Sequence, residues 1–152
     1  MSVETALAGA IIAELGVDMS LFENISQLAC WAGVCPGNHE SVGKRRSSCI
    51  PRGNVYLKAA LVEAANAAAK AKGTYLRDKF YRLKARRAYK RAAVAIAHKI
   101  LVVIYHVLSH RACYNELGDL YLDKLNKHHL TRNLIHRRER LGYTVTLEQK
   151  AA

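Results

Sequence analysis

Between Gly37 and Asn54 the chain reads Gly-Asn-His-Glu-Ser-Val-Gly-Lys-Arg-Arg-Ser-Ser-Cys-Ile-Pro-Arg-Gly-Asn. One hydroxyl in it, Ser41, stands close in sequence to Lys44, Arg45, Arg46 and Arg52. A serine in a strongly positive loop suits attack on a phosphodiester, because cations compensate the charge that builds on the phosphate oxygens. Gly43 would let the backbone come close to such a phosphate. The competing reading of the same residues is a solvated basic loop.

The whole chain shares that charge. It has 152 residues, with 24 Lys plus Arg against 12 Asp plus Glu, a formal net charge of +12. A basic chain of this kind calls for a polyanionic partner, with nucleic acid ahead of an anionic membrane surface. The hydrophobic share of 51% argues against a disordered basic tail, and the length predicts one domain with a real core.

The N-terminus begins with Glu4 and a modest apolar stripe rather than a basic segment and an apolar run, so a cytoplasmic protein is expected. The strongest apolar stretch, Ala92 to Leu108, carries His98, Lys99 and His106 and reads as a buried helix, with no membrane partner. Cys30, Cys35, Cys49 and Cys113 are unevenly spaced and predict reduced thiols. A zinc site from Cys30, Cys35, His39 and Cys49 can be drawn, but no CxxC pair supports it.

The elements that must position Ser41 read almost entirely as helix. Ala6, Leu7, Ala10, Ile11 and Leu15 form a stripe ended by Gly16. Ser20 and Glu23 have capping-box spacing, and Ser26 is the expected cap of a short helix with Leu28, Cys30 and Trp31. Gly33, Pro36 and Gly37 break the chain and open the serine loop. Asn54 is the expected N-cap of a helix from Val55 to about Lys70, whose small face of Leu57, Leu61, Ala64, Ala65 and Ala68 admits a close neighbour. The free N–H groups of that helix would favour a phosphate near Arg52.

After Gly73 a helix from Thr74 to Arg86 turns Leu76, Phe80 and Leu83 inward. Its other face and the following residues carry Arg77, Lys79, Arg82, Lys84, Arg86, Arg87, Lys90 and Arg91, with Tyr75, Tyr81 and Tyr89 interleaved and Asp78 as the lone acid. A charge run is ordinarily a solvated face, but one this one-sided favours nucleic-acid backbone contact. A helix from Ala88 to His110 is the expected centrepiece of the core, followed by one from Leu117 to Arg140. The tail Tyr143–Leu147 alternates like a strand. The predicted class is all-α, a compact domain of about six helices.

Trp31-Ala-Gly-Val-Cys-Pro-Gly-Asn-His-Glu-Ser-Val-Gly-Lys-Arg-Arg-Ser, then Arg52-Gly-Asn and Ala60-Leu-Val-Glu-Ala-Ala, resembles the C-terminal transposase domain of the DEDD insertion-sequence transposases. These are recombinases guided by a bridge RNA and related to the pilin-gene invertases. Arg86-Arg87, Lys90-Arg-Ala-Ala-Val-Ala, Ile100-Leu-Val and Arg140-Leu-Gly-Tyr-Thr-Val-Thr-Leu-Glu fit the same domain, in order, from Ala6 to Glu148.

The resemblance implies a serine that attacks DNA and holds it as a phosphoserine, and Ser41 matches it. It also implies an N-terminal nuclease-like domain whose four acids bind magnesium. That domain has no counterpart in residues 1–152, so a truncated C-terminal domain is expected, with no cofactor of its own and little cleavage alone. The residue after the serine, usually small, is Val42 here. DNA, a guide RNA and, in the full-length protein, further copies of the chain are the implied partners. Two other readings compete: a non-catalytic helical nucleic-acid-binding module, and a basic protein structuring ribosomal RNA.

Overall fold

The computed structural model describes residues 3–148 apart from 38, 42, 43 and 48, and the backbone alone for residues 3, 4, 39–41 and 44–47. Helix α1 (Val3–Leu15) leads through a 3-10 turn (Met19–Leu21) to α2 (Ile25–Trp31). A short antiparallel hairpin follows, β1 (His39–Ser41) and β2 (Lys44–Ser47). The rest is helical: α3 (Val55–Ala68), α4 (Tyr75–Lys84), α5 (Tyr89–His110), α6 (Tyr121–Leu125) and α7 (Lys127–Glu139). The predicted helical class holds, with a hairpin where the sequence suggested only a loop.

The core lies where α3 and α5 pack together, with α1 against α3 and α2 and α4 against α5. Leu28, Leu57, Leu61, Phe80, Ile96 and Leu101 are the largest side chains removed from solvent. Each such burial stabilises the fold by about 1.5–3 kcal/mol. Between them sit Ala65, Ala69, Ala92, Ala93 and Ala97, also buried. Small residues on both helices let the backbones approach, as the alanine-rich face of α3 predicts.

By length and composition α5 is apolar enough to cross a membrane. Here its Ala92, Ala93, Ile96, Ala97 and Leu101 face the core, which accounts for that apolarity on one side. It is not buried all round, because Val102 and Val103 on its flank are only half-covered.

Expectations about α1 and about the start of α2 need correction. The stripe on α1 is narrower than expected, with Ile11 and Leu15 buried but Ala6 and Ala10 exposed. The cap of α2 is Asn24, whose Oδ1 accepts from the Gln27 backbone N–H at 2.9 Å, rather than Ser26. Gln27 reaches back to accept from the Glu23 N–H at 2.8 Å, so the reciprocal cap is built from Asn24 and Gln27, not from Ser20 and Glu23. The chain is still extended at Asn24, where a cap acts, whereas Ser26 already lies inside the helix.

The last helix is two helices. Asn126 leaves helical geometry at φ −115° and ψ 27°, dividing α6 from α7. Neither helix has a buried residue, and Leu120 and Leu125 are 60% and 61% exposed. Without burial to hold it, a continuous helix has no advantage over a break at Asn. The tail Tyr143–Leu147 forms no strand; it runs irregularly and lines a groove beside Thr131, Leu134, Ile135 and Arg138 of α7. Of its alternating residues only Val145 is partly buried, while Tyr143 and Leu147 stay exposed.

Candidate functional site

The hairpin places Ser41 at its free end. The backbone register pairs Ser41 with Lys44, Glu40 with Arg45 and His39 with Ser47, with an irregularity between His39 and Glu40. The side chains of Ser41, Lys44, Arg45 and Arg46 lie outside the described residues, as do Val42 and Gly43 altogether. Two residues, Val42 and Gly43, separate Ser41 from Lys44 in sequence, and strand pairing makes Ser41 and Lys44 direct neighbours.

What the structure adds is the root of this hairpin. Two segments, Ala32–Gly37 and Cys49–Asn54, run so close that only glycine fits at positions 33, 37 and 53. A Cβ on Gly37 would strike the Cys49 carbonyl, and one on Gly53 would strike the backbone of Gly33. Gly33 and Gly53 also hold φ values of +70° and +56°, where other residues are strained. The Asn54 N–H donates to the Trp31 carbonyl at 2.9 Å, closing the root.

Lys58, on the first turn of α3, completes the clamp. Its Nζ donates to the carbonyls of Pro51 and Arg52 at 2.8 and 2.7 Å. Sequence reasoning passed over Lys58, because nothing in its spacing shows that a cation there is committed to backbone. Asn54 is the predicted cap of α3: its Oδ1 accepts from the Leu57 N–H at 3.0 Å, and its Nδ2 donates to Glu14 of α1 at 2.9 Å. The hairpin therefore hangs from α1, α2 and α3 together.

The thiols lie at the same root. The Cys30 and Cys35 sulfurs are 3.0 Å apart, and none of the four cysteines forms a disulfide. Burial, aided by the hydrogen bond from Cys30, pushes the Cys35 thiol up to about 11, so it stays protonated. Among the described residues no group of three or more His, Cys, Asp and Glu is placed to hold a metal. The drawn zinc site includes His39, whose side chain lies outside the described residues.

The second basic region is α4 and the start of α5. Here the interleaved tyrosines organise the cations. Lys79 Nζ donates to the Tyr75 hydroxyl at 2.8 Å and lies over its ring. Arg77 lies over Tyr81, and Lys84 over both Tyr81 and Tyr89. Arg82 is doubly committed, with Nε 2.8 Å from Asp78 and an Nη 2.6 Å from Asp123 of α6. The hydrogen bond to Asp123, ahead of those to Asp78, holds its guanidinium above the ordinary arginine value. Its position is a tie between α4 and α6.

Arg86, Arg87, Lys90 and Arg91 are exposed and meet no carboxylate among the described residues. Together they form a cationic shelf where α4 hands over to α5. Arg52 is exposed as well, beside the hairpin root. One further basic element was missed from sequence: α7 with Arg140, carrying Lys127, Arg132, Arg137 and Arg138 against the single acid Glu139. Its signal was present as a run of Arg and His, masked by leucines that suggested a core helix.

These features have a family to belong to. Residues 2–82, which cover α1 to most of α4 and include the entire hairpin, match the model of the transposase IS116/IS110/IS902 family. The chain belongs to that family. A probable family 20 transposase of Pseudomonas aeruginosa is 33% identical over 111 residues, covering 70% of this chain. The match takes in 32% of that relative, so the chain spans about a third of its length. No solved structure matches the chain.

Proposed function

We propose that this chain is the C-terminal, serine-bearing domain of a DNA recombinase, in which Ser41 attacks a DNA phosphodiester. The Oγ–P bond forms as one P–O bond of the strand breaks. The serine proton leaves to a base, and the departing strand oxygen takes one up. Attack on the phosphoserine by another strand's hydroxyl reverses these steps, rejoins DNA and frees Ser41. Covalent storage conserves the phosphodiester, which is why the exchange needs no outside energy source.

The observation that carries this reading is the hairpin register that sets Ser41 against Lys44, on a root closed by glycines and Lys58, in a chain of a transposase family. Lys44, Arg45, Arg46 and Arg52 then supply positive charge to the phosphate. The Arg77–Arg91 region, with Arg86, Arg87, Lys90 and Arg91 at its centre, holds the flanking nucleic-acid backbone. Guidance by RNA, assembly of several copies and an acidic domain that binds magnesium belong to the same proposal for the full-length recombinase.

A second reading, a binding module that performs no chemistry, draws support from the exposed shelf, which works equally well without a nucleophile. Ser41→Ala in the full-length recombinase separates the two. Recombination between donor and target DNA is expected to disappear while DNA affinity holds, since no charge is removed. Recombination at the normal rate by the alanine variant would leave only the binding module.

A further inference from the structure

Helix α7 presents a face that the core does not use. It has no buried residue, and its packing runs through α6 rather than the core helices. One side, Thr131, Leu134, Ile135 and Arg138, lines the groove with the tail. On the opposite flank His129, Arg132, His136 and Arg140 follow one another at spacings of three or four residues, a single stripe along a helix. Arg137 adjoins that stripe, and all five are exposed.

The acids do little to neutralise it. Glu139 lies 3.9 Å from His136, and no carboxylate engages Arg132, Arg137 or Arg140 among the described residues. The local polar contacts are modest: Asn133 with His129 at 3.1 Å, and Thr131 Oγ1 donating to the Lys127 carbonyl at 2.9 Å.

We propose that this flank of α7 is a second binding surface for a phosphodiester backbone, separate from the shelf at the α4–α5 junction. Three arguments favour that occupant. Arginine presents a planar fork suited to phosphate oxygens. From Arg132 to Arg140 the helix rises about 12 Å, a distance over which a duplex presents about seven charges. The arginine stripe also lacks the apolar centre that a protein partner would need. A lipid surface would need an apolar face beside the cations, and the stripe itself carries only His and Arg.

The surface is distinct from the proposed Ser41 chemistry and stands without it. The test is the salt dependence of binding by the whole chain, using a short duplex DNA and the matching duplex RNA. The variant is Arg132→Gln, Arg137→Gln and Arg140→Gln together, on exposed positions where helix content serves as the folding control. The log–log slope is expected to flatten by about 0.9 for each phosphate no longer neutralised. Ser41→Ala should leave the slope unchanged, so failure of the serine chemistry would be visible separately.

Flattening on both duplexes supports backbone recognition in general, and flattening on one alone assigns the surface to that nucleic acid. The change should add to that from neutralising Arg86, Arg87, Lys90 and Arg91. Changes that fail to add would make the two runs one footprint and overturn their separateness. An unchanged slope on both duplexes in a folded variant overturns the proposal outright, and leaves α7 to a protein partner.

Discussion

Lys58 at the hairpin root and Arg82 on α4 are both cations beside a candidate interface, and neither is available to it. Lys58 gives its ammonium to two carbonyls. Arg82 gives its guanidinium to two carboxylates. The regions around them differ in kind. At the root the backbone itself is the working part, shaped by glycines that exclude any side chain. On the shelf the backbone is an ordinary turn between two helices, and the working part is the set of charges left over after Asp78 and Asp123 have taken Arg82. Positive charge in a sequence therefore has two fates, shaping the chain and meeting a partner, and only partner geometry tells them apart.

The sharpest way to break this contrast is Gly53→Ala. The new methyl must enter the Gly33 backbone from a φ of +56°. Strain and overpacking together predict a loss of about 2–5 kcal/mol in denaturant unfolding, with recombination lost in the full-length protein. A midpoint equal to that of the parent chain would mean that the root tolerates side chains after all.

Lys58→Met comes next. It removes two hydrogen bonds from a charged donor, and partial exposure reduces their worth to about 1–2 kcal/mol. Amide exchange at the root should quicken more than exchange in α5. If instead nucleic-acid affinity falls and the root is unaffected, Lys58 belongs with the shelf.

On the other side of the contrast, neutralising Arg86, Arg87, Lys90 and Arg91 together should flatten the salt slope by up to about 3–4 on duplex DNA. Arg82→Met should barely move it, since that cation is already paired. An equal effect of Arg82→Met per charge would contradict its role as a tie.

The smallest effect concerns His98 on α5. Burial, with Lys99 close by, lowers its pKa from 6.5, and its Nδ1 is buried without a partner. The unfolded chain binds the proton more readily, so stability is complete above the ordinary histidine value and declines as pH falls from there through the lowered one. His98→Gln should flatten that decline in unfolding measured from neutral to mildly acidic pH. A variant with the parent's pH profile would place the acid sensitivity elsewhere.

The helices were legible because their signals are local. Gly16, Asn54 and Thr74 mark ends by rules that act within one turn, and the alanines of α3 announced close packing. Ser41 and its cations could be grouped from sequence because they fall within a dozen positions, and the backbone register sets Ser41 beside Lys44. The closed root was not legible, because Gly33, Gly37 and Gly53 acquire meaning only when Gly53 meets Gly33 and Gly37 meets Cys49. The commitment of Arg82 was hidden for the same reason, its second partner being Asp123, 41 residues away. The split at Asn126 escaped because leucine periodicity promises burial that the fold does not provide.

The loop before α6 is anchored in a way that bears on how α7 meets a partner. Glu116 accepts from the Tyr75 N–H at 2.9 Å at the start of α4, from Gly118 at 3.2 Å and from the Tyr114 hydroxyl at 3.0 Å. These bonds outweigh partial burial and hold its carboxyl below the ordinary value. With Arg82 and Asp123 they make two pins, both on α4 and both ahead of Asn126. Past that residue α7 is a short arm attached at one end. Its opening free energy is therefore set locally rather than by the global transition. Its amides should exchange long before those of α5, and slow markedly only when a polyanion lies along it.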